Sequence, residues 1–323
     1  MKYLRIPYVN KPVSRIFYGT AIPPFNRGED GNDLLDSILA TGVNAFDCAR
    51  NYNLSEISLG KWIEERGVRD KIVLLTKCAH HDDFGNKRVS PKCILEDYAV
   101  SSEYLRTSFF DIYLLHRDDP SQPVGPIVEV MNALHADGKI GAFGGSNWTH
   151  QHVEEANEYA YAHNLIPFSV SSPNFCLAHT GEDPWGGGCV SITGAENKEA
   201  RDWYIAQNMP VIAYSSMARG FFSGRIKSSD SFEKAKSLLD EPAVKAFVSE
   251  ENFERLRRCE ILSAEKGVTV AQIALAWIYA QQVNTFAVLS TSSAERMKAN
   301  IAALDLGLTA AEAAWLNLEA EAL

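Results

Sequence analysis

The chain has 323 residues, of which 46% are hydrophobic, and a formal net charge of −10, with a sequence pI near 5.3. That length suits two ordinary domains or one large α/β barrel with a sizeable core. The acidic balance, with no run of Lys and Arg, excludes a nucleic-acid-binding face and leaves a small molecule as the expected partner, one whose anionic groups could still find local positive charge.

Taken in chain order, the N-terminal stretch MKYLRIPYVNKPVSRIF has neither the apolar core nor the cleavage site of a secretory signal. Within it, residues 3–6 and 12–15 read as a short hairpin closing the base of the barrel. Strand-like apolar runs follow at 15–21, 43–47, 72–77, 110–116, 140–146, 168–172, 211–214 and 285–289. Apolar residues at i, i+3, i+4 spacing predict helices over 33–40, 54–65, 92–106, 127–137, 151–163, 196–207, 253–266 and 270–280. The punctuation agrees. Ser90-Pro91 supplies a cap and a first-turn proline, Asp137-Gly138 and Lys266-Gly267 end helices, and Thr309 with Glu312 forms a capping box for a last helix. Strand-helix alternation implies a parallel sheet, and eight such units imply a closed (β/α)8 TIM barrel, one domain over residues 1–323. Two long connections, about 175–195 (with GEDPWGGGCVSITG) and about 216–242 (with ARGFFSGR), follow strands six and seven. Both are expected on the C-terminal face, where barrel sites are built.

No segment approaches the ~20 apolar residues of a membrane helix, so no membrane association is expected. Cys48, Cys78, Cys93, Cys176, Cys189 and Cys259 form no CxxC pair and no zinc-ligand spacing. Free thiols, a cytoplasmic location and no metal are expected. The sequence assigns no oligomeric state.

Four strand runs end on polar groups. GVNAFDCARNY carries an apolar run into Asp47, with Tyr52 five residues on; KIVLLTK ends at Lys77; FFDIYLLH ends at His116; and the fifth run ends in Gly145-Ser146-Asn147. Singly, each has a plain structural reading: a turn cap, a core filler, a lysine reaching for water, a satisfied histidine. In a parallel barrel, however, Asp47, Tyr52, Lys77 and His116 converge on one rim. An ammonium beside a phenol favours the phenolate, a carboxylate keeps that ammonium charged, and a neutral imidazole can donate to a carbonyl oxygen. The set suits protonation of an oxygen whose carbon accepts a nucleophile. No side chain supplies that nucleophile, so a hydride from a nicotinamide is expected.

These motifs resemble the aldo-keto reductases. Residues 42–62, GVNAFDCARNYNLSEISLGKW, are similar to the family signature, including Ser55-Glu56 and Leu59-Gly60, while LLTK and DIYLLHRDDP match the segments bearing the family's lysine and histidine. The resemblance implies that Asp47, Tyr52, Lys77 and His116 are the catalytic residues, with Tyr52 as general acid and base. It also implies a cofactor bound without a Rossmann domain. Ser146 and Asn147 match the pair that holds the nicotinamide carboxamide, and Tyr214 matches the aromatic residue that stacks on its ring. Ser215, Met217 and Gly220 fall near the pyrophosphate, and Gly19 and Thr20 fall close to the cofactor. Ser172 stands where the family often has a glutamine, with Asn174 placed to compensate. Arg296 and Asn300 match residues that grip the adenosine phosphate, whereas Ser290 replaces a lysine common in NADPH-preferring members. NADP(H) is therefore the preferred cofactor, with NAD(H) as the alternative.

His80-His81-Asp82-Asp83 reads as a polar loop near the mouth rather than a metal site, because adjacent side chains seldom share one ion. Polar entrance residues Arg50, Asn51, Arg117 and Asp118 favour a hydroxylated, sugar-like carbonyl substrate. The expected reaction is reversible reduction of an aldehyde or ketone to the alcohol. The alternative is a cofactor-sensing regulatory or binding subunit, as potassium-channel beta subunits are in this family. A lyase or isomerase barrel fits poorly with Ser146-Asn147 and Tyr214.

Overall fold

The computed structural model describes residues 1–185 and 187–323; Gly186, in the connection after the sixth barrel strand, lies outside the described residues. In chain order the strands are β1 (Tyr3–Leu4), β2 (Val13–Ser14), β3 (Ile16–Gly19), β4 (Ala45–Asp47), β5 (Val73–Cys78), β6 (Phe110–Leu115), β7 (Ile140–Ser146), β8 (Val170–Ser172), β9 (Val211–Ala213) and β10 (Thr285–Leu289). β1 and β2 form the N-terminal antiparallel hairpin, and β3 to β10 form a closed parallel barrel in which β10 joins β9 to β3. With helices between the strands this is the expected TIM barrel.

Residue parity explains how the barrel is filled. Successive strand residues point to opposite faces. Phe17, Ala45, Val73, Leu75, Ile112, Leu114, Ala142, Val170, Ile212 and Phe286 form one buried interior cluster. Their neighbours, among them Tyr18, Phe46, Leu74, Tyr113 and Phe143, pack outward among the helices. Ile6, Val9 and Val13 of the hairpin region join the interior cluster and plug its base. The approach there is tight: a Cβ on Gly141 would lie 2.7 Å from the Tyr8 carbonyl oxygen, so only glycine fits.

The same parity, continued to the upper strand ends, turns Gly19, Asp47, Lys77, His116, Ser172 and Tyr214 inward, two residues on from apolar interior positions, and Ser146 likewise, four residues on from Ala142. The strands are shorter than the apolar runs suggest. His116 and Tyr214 lie one residue past β6 and β9, and Thr20 lies one past β3. Register neighbours include Gly19 with Asp47 and Ser146 with Ser172, so the polar ends form a ring.

The expected caps are present. Ser90 Oγ accepts from Cys93 N, Gly138 and Gly267 adopt positive φ, and Thr309 and Glu312 cap each other reciprocally. One expectation is corrected. The connection over 216–242 is not all loop, since Phe232–Leu238 and the start of Glu241–Phe247 are helical, each capped from its own side chain by Ser231 or Asp240. Seven-residue helices span two turns, too few for a period to stand out in sequence. Among the described residues, no single helix is long and apolar enough to cross a membrane.

Candidate active site

Lys77 ends the interior row of β5 and is 3% exposed. Its ammonium has three acceptors: Asp47 Oδ1 at 2.5 Å, the Cys48 carbonyl at 2.9 Å and the Tyr52 hydroxyl at 3.2 Å. All three protons of the ammonium are thereby placed, and one is aimed at the phenol. The short turn after β4 brings Tyr52 back over the mouth, where its ring meets His116 edge-on at 5.5 Å. His116 is 7% exposed, and its Nδ1 is buried without a hydrogen-bond partner among the described residues. His80 packs against its other side at 4.8 Å.

The electrostatics depart from expectation at one point. Lys77 pulls the Tyr52 phenol down as expected, but burial outweighs it, and the net direction is up. Burial opposes charge on Lys77, yet Asp47 and Tyr52 together hold the ammonium above its ordinary value. Asp47 is pushed up by burial against the pull of the same ammonium, and the close pair stands as carboxylate and ammonium. Burial first, then Lys77 and His80, depress His116 well below the ordinary histidine range, so its imidazole is neutral at pH 7.

Next to this group lies a second network. Asn147 holds a left-handed backbone, φ 62°, which asparagine tolerates better than most residues. Its Nδ2 donates to the His116 carbonyl at 3.2 Å and to Ser146 Oγ at 3.3 Å. Its Oδ1 accepts from the Tyr214 hydroxyl at 2.7 Å and from Val190 N at 3.2 Å. Cys189 Sγ lies 2.9 Å from the Tyr214 hydroxyl. Ser146 donates to the Ser172 carbonyl, while the Ser172 hydroxyl is spent on Ile212 O at 2.7 Å. Asn174 reaches the Tyr214 carbonyl through Nδ2 and accepts from Thr180 and Ser191.

Beyond Tyr214, Ser215, Ala218, Arg219 and Gly220 all take positive φ, a strained turn containing Met217. Arg219 pairs with Asp240 and lies 4.8 Å over the Trp185 ring, so the two long connections meet there. At the far end, Ser290 Oγ donates to the Gly19 carbonyl at 2.8 Å. Arg296 donates to Thr291 and Ser292 hydroxyls and has no carboxylate within 4 Å among the described residues. Asn300 lies one turn further along the same helix, Ala294–Ala302.

The Aldo/keto reductase family model matches residues 15–317. The chain belongs to that family. It is 28% identical over 292 residues to "Aldo-keto reductase str7" of Strobilurus tenacellus, covering 89% of this chain and 80% of that protein. It is 26% identical to the "NADH-specific methylglyoxal reductase" of Escherichia coli, over 100% of this chain and 99% of that protein. It is also 25% identical to a "Putative voltage-gated potassium channel subunit beta" of Schizosaccharomyces pombe, over 82% of this chain and 76% of that protein.

Members of the family act on small-molecule carbonyl compounds with nicotinamide cofactors. A cavity of about 360 Å³ is lined by Arg50, Asn51, Asn53, His80, His81, Asp82, Asp83, Arg88 and Asp97, and of these His80 packs against His116. Several parts of the mouth escape sequence reasoning. The contact of His80 with His116, the Cys189-Val190 edge against Tyr214 and Asn147, and the buried setting of Arg117 all join segments far apart in the chain. Only Trp148, directly after Ser146-Asn147, carries a local signal. It is fully buried, stacks on His152 at 4.3 Å and donates from Nε1 to the Arg117 carbonyl.

Proposed function

We propose that this chain, acting as one domain, reversibly reduces an aldehyde or ketone to its alcohol, with NADP(H) preferred over NAD(H). The observation that carries the reading is the Lys77 ammonium, which divides its three hydrogen bonds among Asp47, a carbonyl and the Tyr52 phenol. The cofactor's dihydronicotinamide, when bound, supplies the hydride.

Tyr52 then gives its proton to the carbonyl oxygen. The phenol is protonated at neutral pH, burial having moved it further in that direction, and the Lys77 ammonium beside it favours release of the proton. Lys77 steadies the phenolate left behind, and Asp47 keeps Lys77 charged and aimed. His116, held neutral, donates to the same oxygen. We assign its proton to Nε2, because an N–H at the partnerless Nδ1 would be left unsatisfied. In the alcohol-oxidising direction Tyr52 acts as the base.

The donor set around Asn147 suits a nicotinamide cofactor. Ser146 and Asn147 would hold the carboxamide, and Tyr214, half-buried at the rim, would support the ring. Gly19, Thr20, Ser172, Ser215, Met217 and Gly220 would border the remainder. Arg296, without a carboxylate partner, would meet the adenosine phosphate with Ser290 and Asn300, which supports the NADP(H) preference. Six free cysteines, among the described residues, accord with the cytoplasmic location we assign.

Tyr52→Phe tests the reading. It removes the proton but keeps the ring, and should lower turnover of short aldehydes and aldoses by about 10²- to 10⁴-fold with NADPH affinity unchanged. Full activity in this variant would remove Tyr52 from the role. The relative named as a channel subunit supports a second reading, cofactor sensing. Tight cofactor binding without turnover of any carbonyl would favour it.

A further inference from the structure

Arg117, the residue after His116, is 8% exposed and has no carboxylate within 4 Å among the described residues. Its Nε donates to His80 Nε2 at 3.3 Å, and Nη1 reaches the Gly188 carbonyl at 3.4 Å. Both acceptors are neutral, because His80 accepts at Nε2 and burial holds its pKa down. A guanidinium removed from water without a counter-ion is destabilising, and folded chains usually pair it.

Apart from the exposed Asp83, the acids of this region are committed elsewhere. Asp118 pairs with His152, Asp119 with Lys87, and Asp97 with Arg88 and Ala79 N. Asp82 accepts from Phe84 N and Asn86 within its own turn, and Asp83 is exposed. A second cation, Arg50, lines the same cavity as His80 and makes no ion pair among the described residues; its guanidinium lies 5.0 Å from the Tyr104 ring. Arg117 is also held in place. Trp148 fixes its carbonyl, and the Asp118–His152 pair fixes the following residue.

We propose, resting on the carbonyl-reductase reading above, that the substrate bears an oxyanion, a carboxylate or a phosphate, a few bonds from its carbonyl, and that Arg117, with Arg50 at the cavity wall, binds it. The path runs through contacts already described. Tyr52 meets His116, His116 meets His80, and His80 accepts from Arg117. A substrate with its carbonyl at Tyr52 and His116 and its chain running along His80 would bring its far end to the arginine. The cavity of about 360 Å³ has Arg50 and His80 in its wall, and Arg117 lies directly behind His80. Guanidinium binds carboxylate and phosphate alike through paired, charge-assisted hydrogen bonds.

Two matched pairs test this: succinic semialdehyde against its methyl ester, and glyceraldehyde 3-phosphate against glyceraldehyde. With NADPH, kcat/KM should favour the anion by about 10- to 100-fold in at least one pair, and the favoured pair identifies the oxyanion. Calorimetry on the chain saturated with NADP⁺ should show the same preference in Kd. Arg117→Met should bring the anion-to-neutral ratio close to unity, and Arg117→Lys should keep part of it. Anion-to-neutral ratios near unity for wild type in both pairs, or a ratio unchanged in Arg117→Met, would overturn the proposal. If Arg117→Met does not fold, Arg50→Gln replaces it: a lowered ratio supports the proposal and an unchanged one overturns it. Absence of turnover with every carbonyl removes the reductase reading, whereas the calorimetric ratio still decides the present one.

Discussion

Asp111 and Asp47 are both buried strand carboxylates, set at opposite ends of one barrel. Asp111, the second residue of β6, is 1% exposed and has two cations, Lys11 at 3.0 Å and Arg69 at 2.8 Å, besides Leu74 N at 2.9 Å. Asp47, the last residue of β4, is 4% exposed and has one cation, which it shares with a phenol and a carbonyl. At the base, partners exceed what one carboxylate needs, and the cations come from the hairpin region and the turn before β5. The result pins the plug to the sheet. At the rim, one ammonium serves several acceptors, so a proton change at Tyr52 is felt by all of them. The difference separates a carboxylate tied to the N-terminal segment and the turn before β5 from one whose ammonium also contacts a phenol, the arrangement proposed above for chemistry.

The largest effects test that separation directly. Lys77→Met should lower carbonyl reduction by about 10²- to 10⁴-fold, read as single-turnover NADPH oxidation. Near-normal rates would mean that the ammonium does not serve the phenol. Asp111→Asn should instead lower the unfolding free energy by about 3–5 kcal/mol, since Lys11 and Arg69 lose the carboxylate between them. Its rate per folded molecule should stay within about twofold of wild type, inside the ~1 kcal/mol uncertainty of such comparisons. A rate collapse without loss of stability in urea titration would reverse the assignment of the two ends.

A smaller effect separates the ends by pH. His116, His80 and His81, all at the rim, bind protons more weakly in the folded chain than free histidine does, chiefly through burial. Below about pH 6.5 the unfolded chain therefore takes up protons that the folded chain refuses. The stability these groups contribute is complete above that pH and is lost as the pH falls. For His116, the most buried of the three, the slope is about 1.4 kcal/mol per pH unit. Urea midpoints at pH 7.5 and 5.5 should thus draw apart more for wild type than for His116→Asn. Equal separations would show that His116 titrates normally.

Much of this was legible in the sequence for a physical reason. Strand parity runs unbroken from Leu75 to Lys77 and from Leu114 to His116, so an apolar interior position announces where the next polar residue points. The barrel and the meeting of Asp47, Lys77 and His116 follow from that period, while Tyr52 reaches them by the short turn after β4. What stayed hidden depends on distance across loops. Burial overrides Lys77 in setting the net direction at Tyr52. The Cys189-Val190 edge reaches Tyr214 and Asn147 from a connection whose path no period describes. In sequence Arg117 is one more polar entrance residue, and only the pairing of Asp118 and Asp119 with other side chains reveals that it has no carboxylate partner among the described residues.

The smallest effect concerns Arg296, proposed above to meet the adenosine phosphate. Arg296 is exposed, and its guanidinium is held by two hydroxyls rather than by a carboxylate. It is therefore oriented without being neutralised. An exposed ion pair is screened by solvent and contributes little, but a phosphate offers a fork-shaped guanidinium more than one acceptor. With Ser290 in place of a second cation, the gain from a 2′-phosphate is modest. Arg296→Ala should raise the Kd for NADPH by about tenfold while changing that for NADH much less, and added salt should shrink the wild-type preference. Fluorescence titration with both cofactors at two salt concentrations measures this. Equal weakening of NADPH and NADH would mean that Arg296 supports the adenine or the helix start rather than the phosphate, and the preference for NADP(H) would lose its residue.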